Sequence, residues 1–278
     1  MRLLKEDFIS VLILEEDEDF LEPAEKFAYY NVEYPCWSTF TASARPEDYE
    51  KGKFNRYAKI GEMAADLEKD FQARIQADPS SLEARCSYAC LMMMRYGIRV
   101  GNEGSAEGYV SGLKKNKGEV VQTFGMTTLQ NKHIMFGSKT MLLDFLGKEQ
   151  VKHKIKIREP YLVEIGKYYY DKQLPDNKWI GIEYEQLFDF VHVAVGKNFV
   201  PKDFRTFCAN TVGWRVMLRF LEQPRREKKS DANKEIAAIV WCVARKLGNT
   251  PGIAKKNYLD HRMIDWFKAQ RVKQETDK

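Results

Sequence analysis

Tyr258 stands in LGNTPGIAKKNYLDHR, residues 247–262, behind Lys255 and Lys256 and ahead of an Asp-His-Arg group. A tyrosine so placed is either a core aromatic at the start of a last helix or a nucleophile delivered onto an anion. Its immediate neighbours leave both uses open. Other segments carry the cations that an anion would need. Lys202 and Arg205 in PKDFRTFCAN are three residues apart, so near a helix N-terminus they share a face. That end also offers free N–H groups and the positive end of a dipole, a natural seat for phosphate. Arg99 in IRVGNEG is read as ending a helix just before a glycine, where a guanidinium also serves simply to satisfy the dipole. Lys148 follows Gly147 in FLGKEQVKHKI, at the tip of a hairpin, where a lysine ordinarily faces solvent. Taken singly, each of these residues has an ordinary structural use.

The elements that must position them are mostly helices. Residues 44–79 and SSLEARCSYACLMMMRYGIRVGN carry apolar side chains at helical spacing, with Ser80 or Ser81 as cap of the second and its methionines as core filler. TTLQNKHIMF and TMLLDFLGK alternate and are separated by a glycine-containing turn, the signature of a β-hairpin, and KHKIKI adds a third strand. After Pro160 the pattern returns to helix, with Pro201 at the start of one and Gly248 at the stop of another. The expected fold is mostly α with a small antiparallel β-sheet, an α+β chain. It is preceded by an irregular acidic region, residues 1–60, in which FAYYNVEYPCWSTFTAS reads as one or two strands.

Composition excludes some classes. No apolar run approaches the ~18 residues of a membrane span, and the N-terminus lacks the small-residue pattern of a secretory signal. Five scattered cysteines suit buried thiols in a reducing compartment better than disulfides or zinc. Residues 1–60 hold 8 Lys/Arg against 13 Asp/Glu, whereas residues 61–278 hold 37 against 27. The larger part is therefore the one suited to a polyanion.

The segments IRVGNE, TTLQNKHI leading to FLGKEQVKHK, PKDFRTFCAN and LGNTPGIAKKNYL resemble, in this chain order, the catalytic segments of type IB DNA topoisomerases. The likeness is strongest to the compact poxvirus and bacterial enzymes and covers roughly residues 80–265. It implies a topoisomerase IB/tyrosine recombinase-like catalytic domain over residues 61–278 and a short DNA-clamp-like region over 1–60. It also implies relaxation of supercoiled double-stranded DNA through a 3′-phosphotyrosyl intermediate. By position, Tyr258 is the nucleophile, Arg99 and Arg205 the two arginines, Lys148 the lysine, and Asn249 the residue at the His/Asn place. Lys202 and Asn210 fall where supporting polar residues occur, and Lys255 and Lys256 are expected to meet DNA. The implied protein is a monomer that needs no cofactor and is cytoplasmic, nucleoid-associated or virus-encoded rather than secreted.

The chemistry suits those residue types. Attack on a phosphodiester builds negative charge on the non-bridging oxygens, which preorganised donors stabilise. Arginine stays charged and can grip two oxygens at once. A lysine near other cations is a fitting acid for the leaving 5′-oxygen, and cations favour the phenolate. The ester conserves the bond energy, so neither ATP nor metal is required, in keeping with the lack of a phosphate-binding G-x-x-x-x-G-K-[ST] loop and of a carboxylate cluster of metal-binding spacing.

Two features depart from the resemblance. The N-terminal region is short and acidic, and GSAEGYVSGLKKNKGEVVQTFGM, residues 104–126, is longer than in similar enzymes and is expected as a flexible solvated loop. The rival readings are a tyrosine recombinase, whose His-x-x-Arg is here Lys202-x-x-Arg205, and a DNA-binding homologue without activity.

Overall fold

The computed structural model describes residues 49–222 and 232–276. The strands expected in FAYYNVEYPCWSTFTAS, and most of the acidic region 1–60, lie outside the described residues. Among the described residues the chain divides into two compact units, one of residues 63–205 and one drawn from 49–62 and 206–276. Helix α1 (Tyr49–Ala77) crosses the division drawn after residue 60 without a break. The fold is mostly helical with small antiparallel sheets, as the sequence suggested.

The unit of residues 63–205 is organised around α2 (Leu82–Tyr96), whose side chains are buried at nearly every position, methionines included. Ser81, rather than Ser80, caps it by accepting the Ala84 N–H, and Gly97 ends it in the left-handed conformation at φ 64°. Tyr88 of α2 meets Tyr169 and Trp179 edge-on, with ring centroids 5.3 and 5.6 Å apart. Its hydroxyl donates to the Leu162 carbonyl. At the last turn of α2, Arg95 grips both oxygens of Glu68 and reaches Glu159 at 3.1 Å. These contacts tie together α1, α2 and the start of α4 (Pro160–Asp171). Short α3 (Glu103–Glu107) and α5 (Tyr184–Ala194) complete its helices.

Two sheets lie between α2 and α4 in the chain. The segment expected as a flexible loop instead folds back as a small hairpin, β1 (Tyr109–Val110) against β2 (Val120–Val121). Its lysines, Lys114, Lys115 and Lys117, are exposed near the tip. The larger sheet is antiparallel, β3 (Ile134–Phe136), β4 (Met141–Gly147) and β5 (Val151–Ile157), in that order. β4 alternates as the sequence does, burying Met141, Leu143, Phe145 and Gly147. Of the segment that reads as one strand in the sequence, Thr127 and Thr128 are turn, Gln130 makes a single antiparallel bridge to Lys178, and only IMF joins the sheet.

The other unit packs α6 (Pro201–Glu222, from Thr206 on), α7 (Ala232–Leu247), α8 (Pro251–Asn257) and α9 (His261–Thr276) around one apolar cluster. Trp214 and Trp266 meet at 4.6 Å. Gly213 lets α6 come close to the segment after α8, since a Cβ there would lie 2.7 Å from Leu259. Arg271 and Glu235 form a doubly bonded pair, both almost fully buried. The described cysteines, Cys86, Cys90, Cys208 and Cys242, are buried free thiols, and burial pushes Cys86 up to about 12.

Candidate active site

Within residues 63–205 the chain brings two arginines and one turn toward a common side chain. Arg99 does not end a helix: α2 stops at Tyr96, and Arg99 lies in the irregular segment beyond Gly97. Gly97 takes the left-handed turn that closes the helix, so the dipole-satisfying role open to Arg99 in the sequence does not apply. Its backbone is fixed instead by a second segment. Met126 N–H donates to the Arg99 carbonyl and Thr127 N–H to the Val100 carbonyl, both at 2.7 Å. This approach requires Gly125, because a Cβ there would lie 2.5 Å from Gly101 N and 2.7 Å from the Arg99 carbonyl oxygen.

Arg205 sits near the start of α6 and is 2% exposed. Its guanidinium donates to the Gly97 carbonyl, so it braces the turn from which the Arg99 segment leaves. Lys202 does not accompany it: Lys202 faces solvent while Arg205 points inward. Nor is the helix start a vacant phosphate seat. The buried Asp203 carboxylate accepts the Val200 N–H at 3.0 Å. A negative charge therefore already complements that end of the dipole.

Lys148 is exposed at the tip of the β4–β5 hairpin, as its position after Gly147 suggested. Behind it lies His153, opposite Phe145 in the β4–β5 register and stacked on it with centroids 4.9 Å apart. The ring also covers Gly147, where a Cβ would meet it at 2.7 Å. Burial, and then the charges of Arg205 and Arg99, push His153 down to about 4. A neutral imidazole beside both guanidinium groups and the Lys148 turn is the feature the sequence reading missed. Its signal was the alternation of KHKIKI, which turns His153 away from the three exposed lysines of β5.

Tyr258 belongs to the other unit, directly after α8. It is 3% exposed and is part of the apolar cluster with Val243, Leu247 and Leu259. Of the two uses that its sequence context left open, the ring's packing is that of a core aromatic. The backbone around it is held by Asn210. The Asn210 amide donates to the Tyr258 carbonyl at 2.7 Å and to Thr206, and its oxygen accepts the Asp260 N–H at 2.9 Å. Asn210 is fully buried and serves the tyrosine's main chain. Asp260 is held in turn by the Tyr57 hydroxyl and by a bidentate grip from Arg262.

Asn249 is placed by the helix stop before it. Gly248 is left-handed at φ 60° and donates to Arg245, and Asn249 N–H donates to the Ala244 carbonyl at 2.8 Å. Thr250 then caps α8 and Pro251 opens it. Lys255 and Lys256 are exposed at its end.

Two outcomes follow from this geometry. Truncation in Asn210→Ala leaves the Asp260 N–H and Tyr258 carbonyl buried without that partner, at a cost of about 2 kcal/mol or more. Urea melts should show this loss. The second outcome concerns acid. His153 and His133 are both held at about 4, chiefly by burial. His133 also accepts the Gln130 N–H on Nδ1, which needs the unprotonated ring. Between pH 6.5 and 4 the unfolded chain binds the protons that the folded chain refuses, so stability declines as the pH falls through that window. Thermal melts at pH 7 and 4.5 should differ, and His153→Gln should reduce the difference. An unchanged pH slope would mean that His153 is not held neutral.

The family model of the eukaryotic DNA topoisomerase I catalytic core matches residues 42–278. The chain belongs to that family. A DNA topoisomerase 1B of Acanthamoeba polyphaga mimivirus is 24% identical over 231 residues, covering 78% of this chain. The chain spans 65% of that relative's length. Every residue nominated from the topoisomerase resemblance, from Arg99 to Tyr258, falls within the matched span. Among the described residues, no group of three or more metal-ligating side chains is gathered, and no helix is long and apolar enough to cross a membrane.

Proposed function

We propose that this chain relaxes supercoiled double-stranded DNA as a type IB topoisomerase, working as a monomer without ATP or metal. The Tyr258 oxygen attacks a backbone phosphorus as the phenolate, its proton having gone to solvent, the bond to the 5′-oxygen breaks, and a 3′-phosphotyrosyl ester remains. Arg99 and Arg205 bind the non-bridging oxygens as their charge grows. Lys148 gives its proton to the departing 5′-oxygen and recovers it when that hydroxyl attacks the ester to reseal the strand. Asn249 donates a neutral hydrogen bond that positions an oxygen and shuttles no proton. Lys202, Lys255 and Lys256, all exposed, contact flanking phosphates, so binding weakens steeply with salt.

The observation that carries this reading is the gathering of Arg99, Arg205 and the Lys148 turn about neutral His153. A fold that served only to bind DNA would present such cations to solvent. Here one guanidinium is buried against the Gly97 turn, and the neighbouring imidazole stays neutral, so it adds no charge that would repel the two arginines. The test is plasmid relaxation in excess EDTA without nucleotide. Relaxed circles with a covalent protein–3′-phosphate adduct support the topoisomerase. Retardation of DNA without relaxation would leave a binding protein, and strand exchange between two specific sites would indicate a recombinase.

A further inference from the structure

We propose that Gln150 is a positioning residue for Lys148, and that it works through Ser111 and Asn116 of the hairpin formed by residues 109–121. This rests on the reading of Lys148 as the general acid. The turn Lys148–Gln150 is unusual in its backbone. Glu149 and Gln150 both lie in the left-handed region, at φ 60° and 56°, and neither is glycine. Two consecutive residues of that kind persist only where the surroundings impose the conformation.

The surroundings here are a closed ring of hydrogen bonds. Lys148 and Glu149 are exposed, whereas Gln150 turns inward and is 7% exposed. Its Nε2 donates to Ser111 Oγ at 2.7 Å, and its Oε1 accepts from Asn116 Nδ2 at 2.7 Å. Ser111 Oγ closes the ring by donating to Asn116 Oδ1 at 2.9 Å, and it also accepts the Leu113 N–H. The hydroxyl thus uses its one donor and two acceptor positions. The hairpin that supplies this clamp is itself fixed, since Ser111 exchanges backbone hydrogen bonds with Glu119 and Gly118. Just beyond it, Phe124 N–H donates to Leu146, two residues before Lys148.

A lysine on a flexible four-carbon stem is a good proton donor only if its Cα and stem are aimed. The ring supplies that aim from the segment that has no regular place in the sequence pattern. Without it, the two left-handed residues relax and the ammonium loses its direction toward the leaving oxygen.

The experiment uses the full chain and two forms of one cleavable duplex, with oxygen or with sulfur at the bridging 5′ position. A thiolate leaves without needing a proton, so sulfur bypasses any defect in the general acid. Gln150→Gly removes the clamp while suiting the left-handed backbone. It should slow single-turnover cleavage of the oxygen substrate by about 10- to 100-fold, with DNA affinity little changed, and recover on the sulfur substrate. Lys148→Ala should show the same pattern more strongly. Ser111→Ala and Asn116→Ala leave every residue of the turn in place and should follow Gln150→Gly to a lesser degree. If Lys148→Ala is not restored by sulfur, Lys148 is not the acid and the reading beneath this one fails. If Lys148→Ala is restored but Gln150→Gly is either unaffected or slowed equally on both substrates, Gln150 does not act through Lys148.

Discussion

Tyr258→Phe should bind duplex DNA within about two-fold of the natural chain, yet form no covalent adduct and relax no plasmid. The change removes one oxygen and keeps the ring. Because that ring is packed in the cluster with Val243, Leu247 and Leu259, phenylalanine fills the same space. The Asn210 clamp grips the Tyr258 carbonyl and the Asp260 N–H rather than the phenol, so the segment keeps its path. What is lost is the proposed nucleophile, and the rate should fall with it by at least about 10⁴-fold. Relaxation at a tenth of the natural rate would remove Tyr258 from the mechanism.

Arg205→Ala has the second largest effect, in both rate and stability. The rate of cleavage should fall by about 10²-fold or more, as when a preorganised donor to a developing oxyanion is deleted. Stability should fall by about 2 kcal/mol, because the Gly97 carbonyl loses a charged donor in a buried place. The two losses are separated by Arg205→Lys. A single ammonium keeps the charge but lacks the fork that serves a carbonyl and a phosphate oxygen together. It should regain part of the stability and little of the rate, measured by single-turnover cleavage beside denaturant melts. If Arg205→Ala slows cleavage only a few-fold once the folded fraction is allowed for, Arg205 is a brace for the Gly97 turn and nothing more.

The parts of this fold that were legible in the sequence are those set by local pattern. The alternation of TMLLDFLGK and KHKIKI fixed two paired strands with Lys148 at their tip. Pro201 and Gly248 marked a helix start and a helix stop, and the stop is held by two backbone hydrogen bonds, donated by Gly248 and Asn249, that any chain with that turn can make. Arg99, which lies three residues beyond the helix end, was misplaced because Ile98 and Val100 continue the apolar rhythm past Gly97, and only the left-handed φ there ends the helix. Residues 104–126 looked like loop because strands of two residues leave no periodicity. Their side-chain partner, Gln150, lies 34 and 39 positions away from Asn116 and Ser111. Asn210 acts on residues 48 and 50 positions distant, which no spacing rule reveals. The Asp203 cap, by contrast, was in view in PKDFR, and a carboxylate at the third helical position argues against an open anion seat. His153 was visible as an inward position, but its depressed basicity depends on two arginines brought up from other segments.

The most direct measurement is the chemistry of the trapped adduct. Cleavage of a duplex in EDTA is stopped with detergent, the protein is digested with trypsin and nuclease, and the modified peptide is sequenced by mass spectrometry. Expected is the peptide NYLDHR, residues 257–262, carrying a nucleotide through its 3′-phosphate on the Tyr258 oxygen, with a free 5′-hydroxyl on the other DNA end. Attachment at another tyrosine, linkage through a 5′-phosphate, or cleavage with no protein adduct would contradict it.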